Sequence, residues 1–328
     1  MNRREVLIGL SVMAANSSAR AQTGSHVPVV GFVGFASADV DARTVASFRR
    51  GLTELGHVEG QTLVIDARSS GGDVDNGHAL IAELAALPVD VFLSPGPAAT
   101  RAILRATKTV PVVAVALPAT ESDPELFASL ARPGGTVTGF SAFGEELSAK
   151  RIELLKEALP GVRVLGILHN GTDPTFTAWG DQTLTDARKH GIEPMRLAVT
   201  SASVPALAEH VGKLPAAGGT ALIVIRDFLT STLMDDICRI AADRGIAVVG
   251  EHTAFAKAGA LLSYGADIED LFRRAAGYVD RILKGEKAGE LPIQLPTKFE
   301  LVVNLKTARS LGLSISPSIL IRADEVIE

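Results

Sequence analysis

From Pro28 onward, short apolar runs alternate with longer segments whose apolar residues recur at helical spacing. Val29 to Phe35 reads as a buried strand. A helix follows from Asp41 to Leu55, stopped by Gly56. Leu63 to Ala67 reads as a strand, Asn76 to Leu87 as a helix capped by Asn76, and Val89 to Leu93 as a strand. Ala98 to Thr107 and Val112 to Ala116 continue the alternation as helix and strand. Strands that are apolar throughout, set between amphipathic helices, predict a parallel sheet covered on both faces.

The pattern then restarts. Helices are predicted at Arg151 to Leu159, Thr175 to His190, Val204 to Lys213 and Met234 to Arg244. Strands fall between them at Val164 to Leu168, Met195 to Val199, Ala221 to Ile225 and Ala247 to Gly250. The fold class is therefore α/β, with two doubly wound parallel-sheet lobes in tandem. The halves share architecture but no residue-level repeat. Arg132 to Ser141, broken by Pro133, Gly134, Gly135 and Gly139, joins the lobes. Leu261 to Gly265 reads as a second crossing. After a long helix, Leu271 to Leu283, the stretch Leu291 to Pro296 reads as a third. Residues 28–140 with 266–295 form the expected first lobe, and 141–265 with 296–328 the second. Several connections between two lobes make a hinge that closes around a ligand.

The N-terminus changes the picture of compartment. Arg3 and Arg4 precede an apolar run from Val6 to Ala15, and Ala19-Arg20-Ala21 offers a cleavage site. Residues 1–21 thus read as an export signal, twin-arginine or general secretory, too short to span a bilayer. The expected location is the periplasm. Formal charge is −5 for the whole chain. Removing the signal's three arginines and one glutamate leaves −7, which argues against nucleic acid or an anionic membrane surface as partner. The single cysteine, Cys238, sits on an amphipathic helix and reads as a buried small hydrophobe.

Recognised catalytic and cofactor signatures are missing. No phosphate loop, dinucleotide fingerprint, nucleophile elbow or zinc motif occurs. No cofactor or metal is expected. His169 and His252 both follow strands of the second lobe, yet lack a third ligand. Open α/β sheets bind ligands at strand C-termini, where helix N-termini offer free N–H groups. In the first lobe those ends carry Phe35, Ser37, Ser94, Gly96, Leu117 and Pro118. In the second they carry His169, Asn170, Arg226, Asp227, Glu251, Ser263 and Tyr264. Such a set suits a small zwitterion: Asp227 or Glu251 for an ammonium, and Arg226, Ser37 and Ser94 for a carboxylate. Phe35, Phe140, Phe143, Trp179, Phe228 and Phe255 fall near loops or the hinge and can flank a flat apolar group.

Four segments carry a resemblance to a known family. They are Phe48 to Gln61, Ser129 to Gly135, Lys150 to Lys156, and the C-terminal run from Leu295-Pro296-Thr297-Lys298-Phe299-Glu300 to Ile327. Through them the chain resembles the substrate-binding proteins of ABC transporters, of the tryptophan/tyrosine type. The resemblance implies the type I periplasmic binding fold. It also implies capture of a small organic solute, amino-acid-like or aromatic, and delivery to an inner-membrane ABC permease; a monomer is expected, and the missing motifs argue against catalytic activity. The departures fall at strand ends. Ala116-Leu117-Pro118-Ala119-Thr120 stands where relatives carry a Gly-Asp-Pro-Val-like turn, and His169-Asn170-Gly171 where they carry Trp-Asn-Pro. The Ser263-Tyr264-Gly265 turn is intact. An acidic group and an aromatic are thus missing from the expected cleft, which argues against an aromatic amino acid. Two other classes fit the pattern: a two-lobed enzyme using Asp227, Glu251 and His252, and a periplasmic sensory module.

Overall fold

A computed structural model describes residues 26–118, 125–142 and 145–328, without the side chains of 145 and 146. The expected export signal, Ala119, Thr120 and Phe143 lie outside the described residues. Among those residues, no helix is long and apolar enough to cross a membrane.

The first sheet is built from β1 (Val29–Gly34), β2 (Val64–Ser69), β3 (Val91–Ser94), β4 (Val112–Leu117) and β5 (Val137–Ser141). Its order is β2-β1-β3-β4-β5, with every pair parallel. Helices α1 (Ala38–Glu54), α2 (Val74–Ala85) and α3 (Pro97–Ala106) connect its strands. The chain then passes through α4 (Glu145–Ala158) into a second sheet. That sheet begins with β6 (Val164–Asn170), α5 (Pro174–Lys189), β7 (Glu193–Val199), α6 (Val204–Ala216) and β8 (Ala221–Val224). It continues with α7 (Phe228–Thr232), α8 (Met234–Ala242), β9 (Ala247–Gly250), α9 (Thr253–Lys257) and β10 (Leu262–Ala266).

After β10 the chain returns to the first lobe as α10 (Ile268–Leu283). This helix buries Leu271, Phe272, Ala275 and Val279 in one core with Phe32, Phe48 and Val91. Gly51 makes the docking possible: a Cβ there would lie 2.0 Å from the Arg273 carbonyl oxygen, so α1 and α10 meet backbone to backbone. Fully burying a side chain such as Phe48 or Phe272 is worth about 1.5–3 kcal/mol. Residues 291–294 then run beside β5, where Gln294 N–H donates to Gly139 and Ser141 N–H to Gln294. Finally β11 (Phe299–Asn304), α11 (Leu305–Ser310), α12 (Pro317–Arg322) and β12 (Glu325–Ile327) complete the second sheet. Its order is β12-β11-β10-β9-β8-β6-β7.

The sequence pattern and the structure differ in four respects. Leu261 to Gly265 reads as a crossing, but β10 lies inside the second sheet and the chain leaves only at Asp267. There Asp267 caps α10 by accepting from Asp270 N–H, which starts the helix before the expected Leu271. Likewise Asp73, not Asn76, caps α2. Lastly, β11 runs antiparallel to β10, so the second sheet is mixed. Its half-exposed start at Phe299 and Glu300 breaks the continuous apolar run by which the other strands are recognised.

Both lobes repeat one strand order. In the first it is β2-β1-β3-β4-β5; in the second, β7-β6-β8-β9-β10. Each sheet therefore has a point where the order reverses, between β1 and β3 and between β6 and β8. Ligands of open α/β sheets bind at the strand C-termini beside such a point.

Candidate functional site

The two reversal points face one another. The C-terminal ends of β1 and β3, Phe35-Ala36 and Pro95-Gly96, share a chamber with the end of β8, Arg226-Asp227. The chamber and its open mouth hold about 520 Å³ of space unfilled by protein atoms. Helix α1 adds Val40, Asp41 and Thr44. Pro97 and Ala99 of α3, Phe176 of α5 and Phe228 and Ser231 of α7 complete its walls.

Contacts between lobes frame this space. The Phe35 and Phe228 rings meet edge to face, with centroids 5.8 Å apart and planes at 87°. Arg101 of α3 pairs with Asp173 ahead of α5 at 3.0 Å and also donates to Thr175 Oγ1. A second chamber adjoins the first, sharing Val40, Thr44, Arg226 and Ser231. Arg43, His252 and Glu269 stand on its walls.

Polar side chains here are held in place by local chemistry. Asp227 caps α7: its carboxylate accepts from Thr230 N–H at 2.9 Å, and Thr230 Oγ1 accepts from Asp227 N–H at 2.8 Å. Asn170, the last residue of β6, donates its amide to the other Asp227 oxygen. Burial outweighs these bonds and pushes the Asp227 carboxyl up to about 6. Asp41 likewise rises to about 6 through burial, although Ser69 Oγ donates to it at 2.5 Å. The Arg226 side chain makes no hydrogen bond, and no ion pair within 4.0 Å, to any described residue. Burial disfavours its charge, and the nearby Glu251 and Asp227 carboxylates oppose that effect. His252 Nε2 is buried without a partner, and burial, reinforced by the arginines around it, lowers its pKa to about 3.

The residues expected from sequence divide clearly. Phe35, Gly96, Arg226 and Asp227 line the first chamber. Asn170 acts one step back, through Asp227. Ser94 is fully buried and bonded to Thr100 and the Gly96 carbonyl. Leu117 and Pro118 are buried, Leu117 in the core of the first lobe. Ser37 precedes α1 without a side-chain cap bond and is not on the chamber wall. His169 packs on Gly180 and lies 3.4 Å from Arg196. Glu251 is engaged by Arg151 at 2.6 Å and by Arg226 N–H at 3.0 Å. Tyr264 stacks on Phe299, and its carbonyl accepts from Arg151; Ser263 Oγ is buried without a partner. Among the aromatics, Phe140 and Phe255 are core residues, and Trp179 packs against both lobes' cores.

Sequence reasoning missed Asp41, Thr44, Phe176 and Ser231. Each lies within the first two turns of a helix that follows a strand C-terminus, so a search extended past the strand ends reaches them. Among the described residues, no group of three or more His, Cys, Asp or Glu can hold a metal.

Known proteins are similar to this chain in sequence and fold. A tyrosine-binding protein of Clostridioides difficile (strain R20291) is 25% identical over 272 residues, covering 81% of this chain and 75% of its own length. The structure of an ABC domain in complex with L-Trp from Streptococcus pneumonia superposes with a TM-score of 0.84 and 25% identity, over 92% of this chain and 99% of its own. A conserved domain protein from Vibrio cholerae also gives 0.84, at 24% identity and the same coverage. A ligand-free, open substrate binding protein with adhesive properties from Clostridium difficile gives 0.66, at 22% identity, over 92% of this chain and 99% of its own. The family model for ABC transporter substrate binding proteins matches residues 27–327, and the chain belongs to that family.

Proposed function

We propose that the protein is the periplasmic solute receptor of an ABC importer, exported by residues 1–21, acting as a monomer, and closing its lobes around one small organic solute. The observation that carries this reading is the confrontation of the two reversal points. Phe35 and Gly96 come from one lobe and Arg226, Asp227 and Phe228 from the other, in one chamber. A ligand there touches both lobes only when they are together, so binding shifts the population towards the closed form. The higher superposition on the L-Trp complex, 0.84 against 0.66 for the open protein, supports a closed arrangement here. The closed form would then dock on its permease and release its cargo.

An enzymatic reading built on Asp227, Glu251 and His252 has less support. Asp227 is committed to its helix, Glu251 to Arg151, and an imidazole titrating near 3 is a poor base at neutral pH. The test is native mass spectrometry of protein purified from its host, followed by small-angle scattering with and without the released solute. A single co-purifying solute that contracts the stripped protein is the expected result. Solute-free protein whose scattering no host extract changes would overturn the proposal.

A further inference from the structure

The charges around the interlobe space are unequally satisfied. Its carboxylates are already engaged. Asp41 accepts from Ser69, Asp227 from Thr230 and Asn170, and Glu269 lies 3.2 Å from Arg50. Glu251, just behind, is held by Arg151. The guanidiniums are not. Arg226 from the second lobe and Arg43 from the first face the same chamber, and neither makes a side-chain hydrogen bond or ion pair with a described residue. Beside them the buried His252 Nε2 also lacks a partner. A guanidinium carries five donors and cannot lose its proton. Arg226 is half-buried, and enclosing it without an acceptor costs free energy that an incoming acceptor returns; Arg43 is exposed at the mouth and adds its charge from there.

From this imbalance, resting on the proposed solute-binding role, we propose that the ligand is a carboxylic acid with an apolar, ring-sized or alkyl body. Its carboxylate lies in the second chamber between Arg226 and Arg43, and its body lies in the first. The planar guanidinium matches a carboxylate with two parallel bonds. An ammonium in the same place would meet two cations and no unengaged acid. In the first chamber, Phe35, Phe176, Phe228, Pro95 and Pro97 offer apolar faces to the body. Arg43 and Arg226 come from opposite lobes. Closure without an anion therefore brings like charges together, and closure on a carboxylate cancels them. The acid group is thus the trigger of closure as well as the anchor.

The test uses the full mature chain and four probes of one shape: 3-phenylpropionate, its amide, 2-phenylethylamine and L-phenylalanine. By isothermal titration, 3-phenylpropionate binds, and the amide and the amine bind at least tenfold more weakly. Phenylalanine binds no better than the acid lacking its amino group. In Arg226→Gln the affinity for 3-phenylpropionate falls tenfold or more, while the melting temperature of the ligand-free protein holds or rises. Arg43→Gln gives a smaller loss and a weaker salt dependence. An amine or amide bound as tightly as the acid, or an Arg226→Gln protein with unchanged affinity, overturns the proposal. Failure of all four probes overturns it too. The solute-receptor role then still stands if a solute lacking an acid group co-purifies with the protein, and falls only if none does.

Discussion

Arg101 Nη1 lies 3.0 Å from Asp173 Oδ2, tying α3 of the first lobe to the start of α5 in the second. Both side chains are nearly buried, at 11% and 5% exposure. An ion pair shielded in this way is screened less than a surface one. Opening the lobes exposes both groups to water, so the pair weighs on the open–closed balance more than on folding. Arg101→Met keeps the aliphatic stem and removes the charge. It should cost the closed form about 1–2 kcal/mol, a 5–30-fold drop in its population relative to the open form. Small-angle scattering of the ligand-free variant should show a larger radius of gyration. Identical profiles for variant and parent would show that the pair does not hold the lobes. Asp173→Ala is less informative, because Asp173 also caps α5 through Thr175 N–H at 2.8 Å.

Ala116 is the described non-glycine residue with a positive φ, 62°, and it sits where the pairing of β4 with β5 shifts register. A left-handed alanine costs about 1–2 kcal/mol. Replacing it by glycine relieves that strain but loosens the unfolded chain by roughly 0.4–1 kcal/mol. Ala116→Gly should therefore raise stability by about 0.5 kcal/mol. Ala114→Gly, two residues earlier at a fully buried strand position, should lower it by roughly 1 kcal/mol. Ala116→Val should cost about 1–3 kcal/mol, since a branched side chain tolerates this backbone least. Urea denaturation of the three variants checks the order. Equal losses for both glycine variants would show that Ala116 is unstrained.

Asp41 carries a stability effect with a definite sign. Its carboxyl rises to about 6 in the folded protein, from 3.8. Between these values the native state holds a proton that the unfolded chain has released. Stability from this group is therefore greatest below pH 4, falls as pH rises to 6, and is level above. The full span is on the order of 3 kcal/mol. Asp41→Asn removes the charge but keeps an oxygen for Ser69 Oγ. It should stabilise the protein by about 2 kcal/mol at pH 8 and by close to nothing at pH 4. Denaturation at the two pH values measures this. The same gain at both would show that burial of the charge is not the cause. Gly34 belongs to the arrangement, because a Cβ there would lie 2.0 Å from Asp41 Cγ. Gly34→Ala should displace the carboxyl from Ser69.

The alternation of strands and helices in two lobes was legible because continuous apolar runs such as Val29 to Phe35 and Val112 to Ala116 admit few other readings. The short pieces were not. Helices α7 and α9 have five residues each, too few to show a period; α7 is marked by the Asp227–Thr230 capping box, and α9 has no side-chain cap. The cleft was half legible. Phe35, Gly96, Arg226 and Asp227 stand at strand ends, where fold topology directs attention. Side-chain direction decided the rest. His169 and Asn170 are neighbours on β6, yet alternation sends one towards Gly180 and the other to Asp227. Glu251 is chemically suited to a ligand ammonium, but Arg151, 100 residues earlier in the chain, reaches it first. No local pattern announces a pairing of that separation.

That pairing gives the last prediction. Arg151 Nη1 bonds Glu251 Oε1 at 2.6 Å, and Arg151 Nε donates to the Tyr264 carbonyl at 2.7 Å. Both side chains are 6% exposed. Burial disfavours the Arg151 charge, and the Glu251 carboxylate offsets this. Glu251→Ala leaves that charge buried and unpaired, which should cost about 3–5 kcal/mol. The double change Arg151→Met with Glu251→Leu removes both charges and should cost much less than the sum of the two single changes, because a buried pair and an apolar replacement are often close in stability. Urea denaturation of the four-member cycle measures the coupling, and additive losses would show that the pair is not a unit. Glu251 also accepts from Arg226 N–H, which sets the turn carrying Arg226 into the cleft. Glu251→Gln keeps an acceptor for that bond. Its solute affinity should therefore fall less than that of the double variant, even where the double variant is the more stable protein.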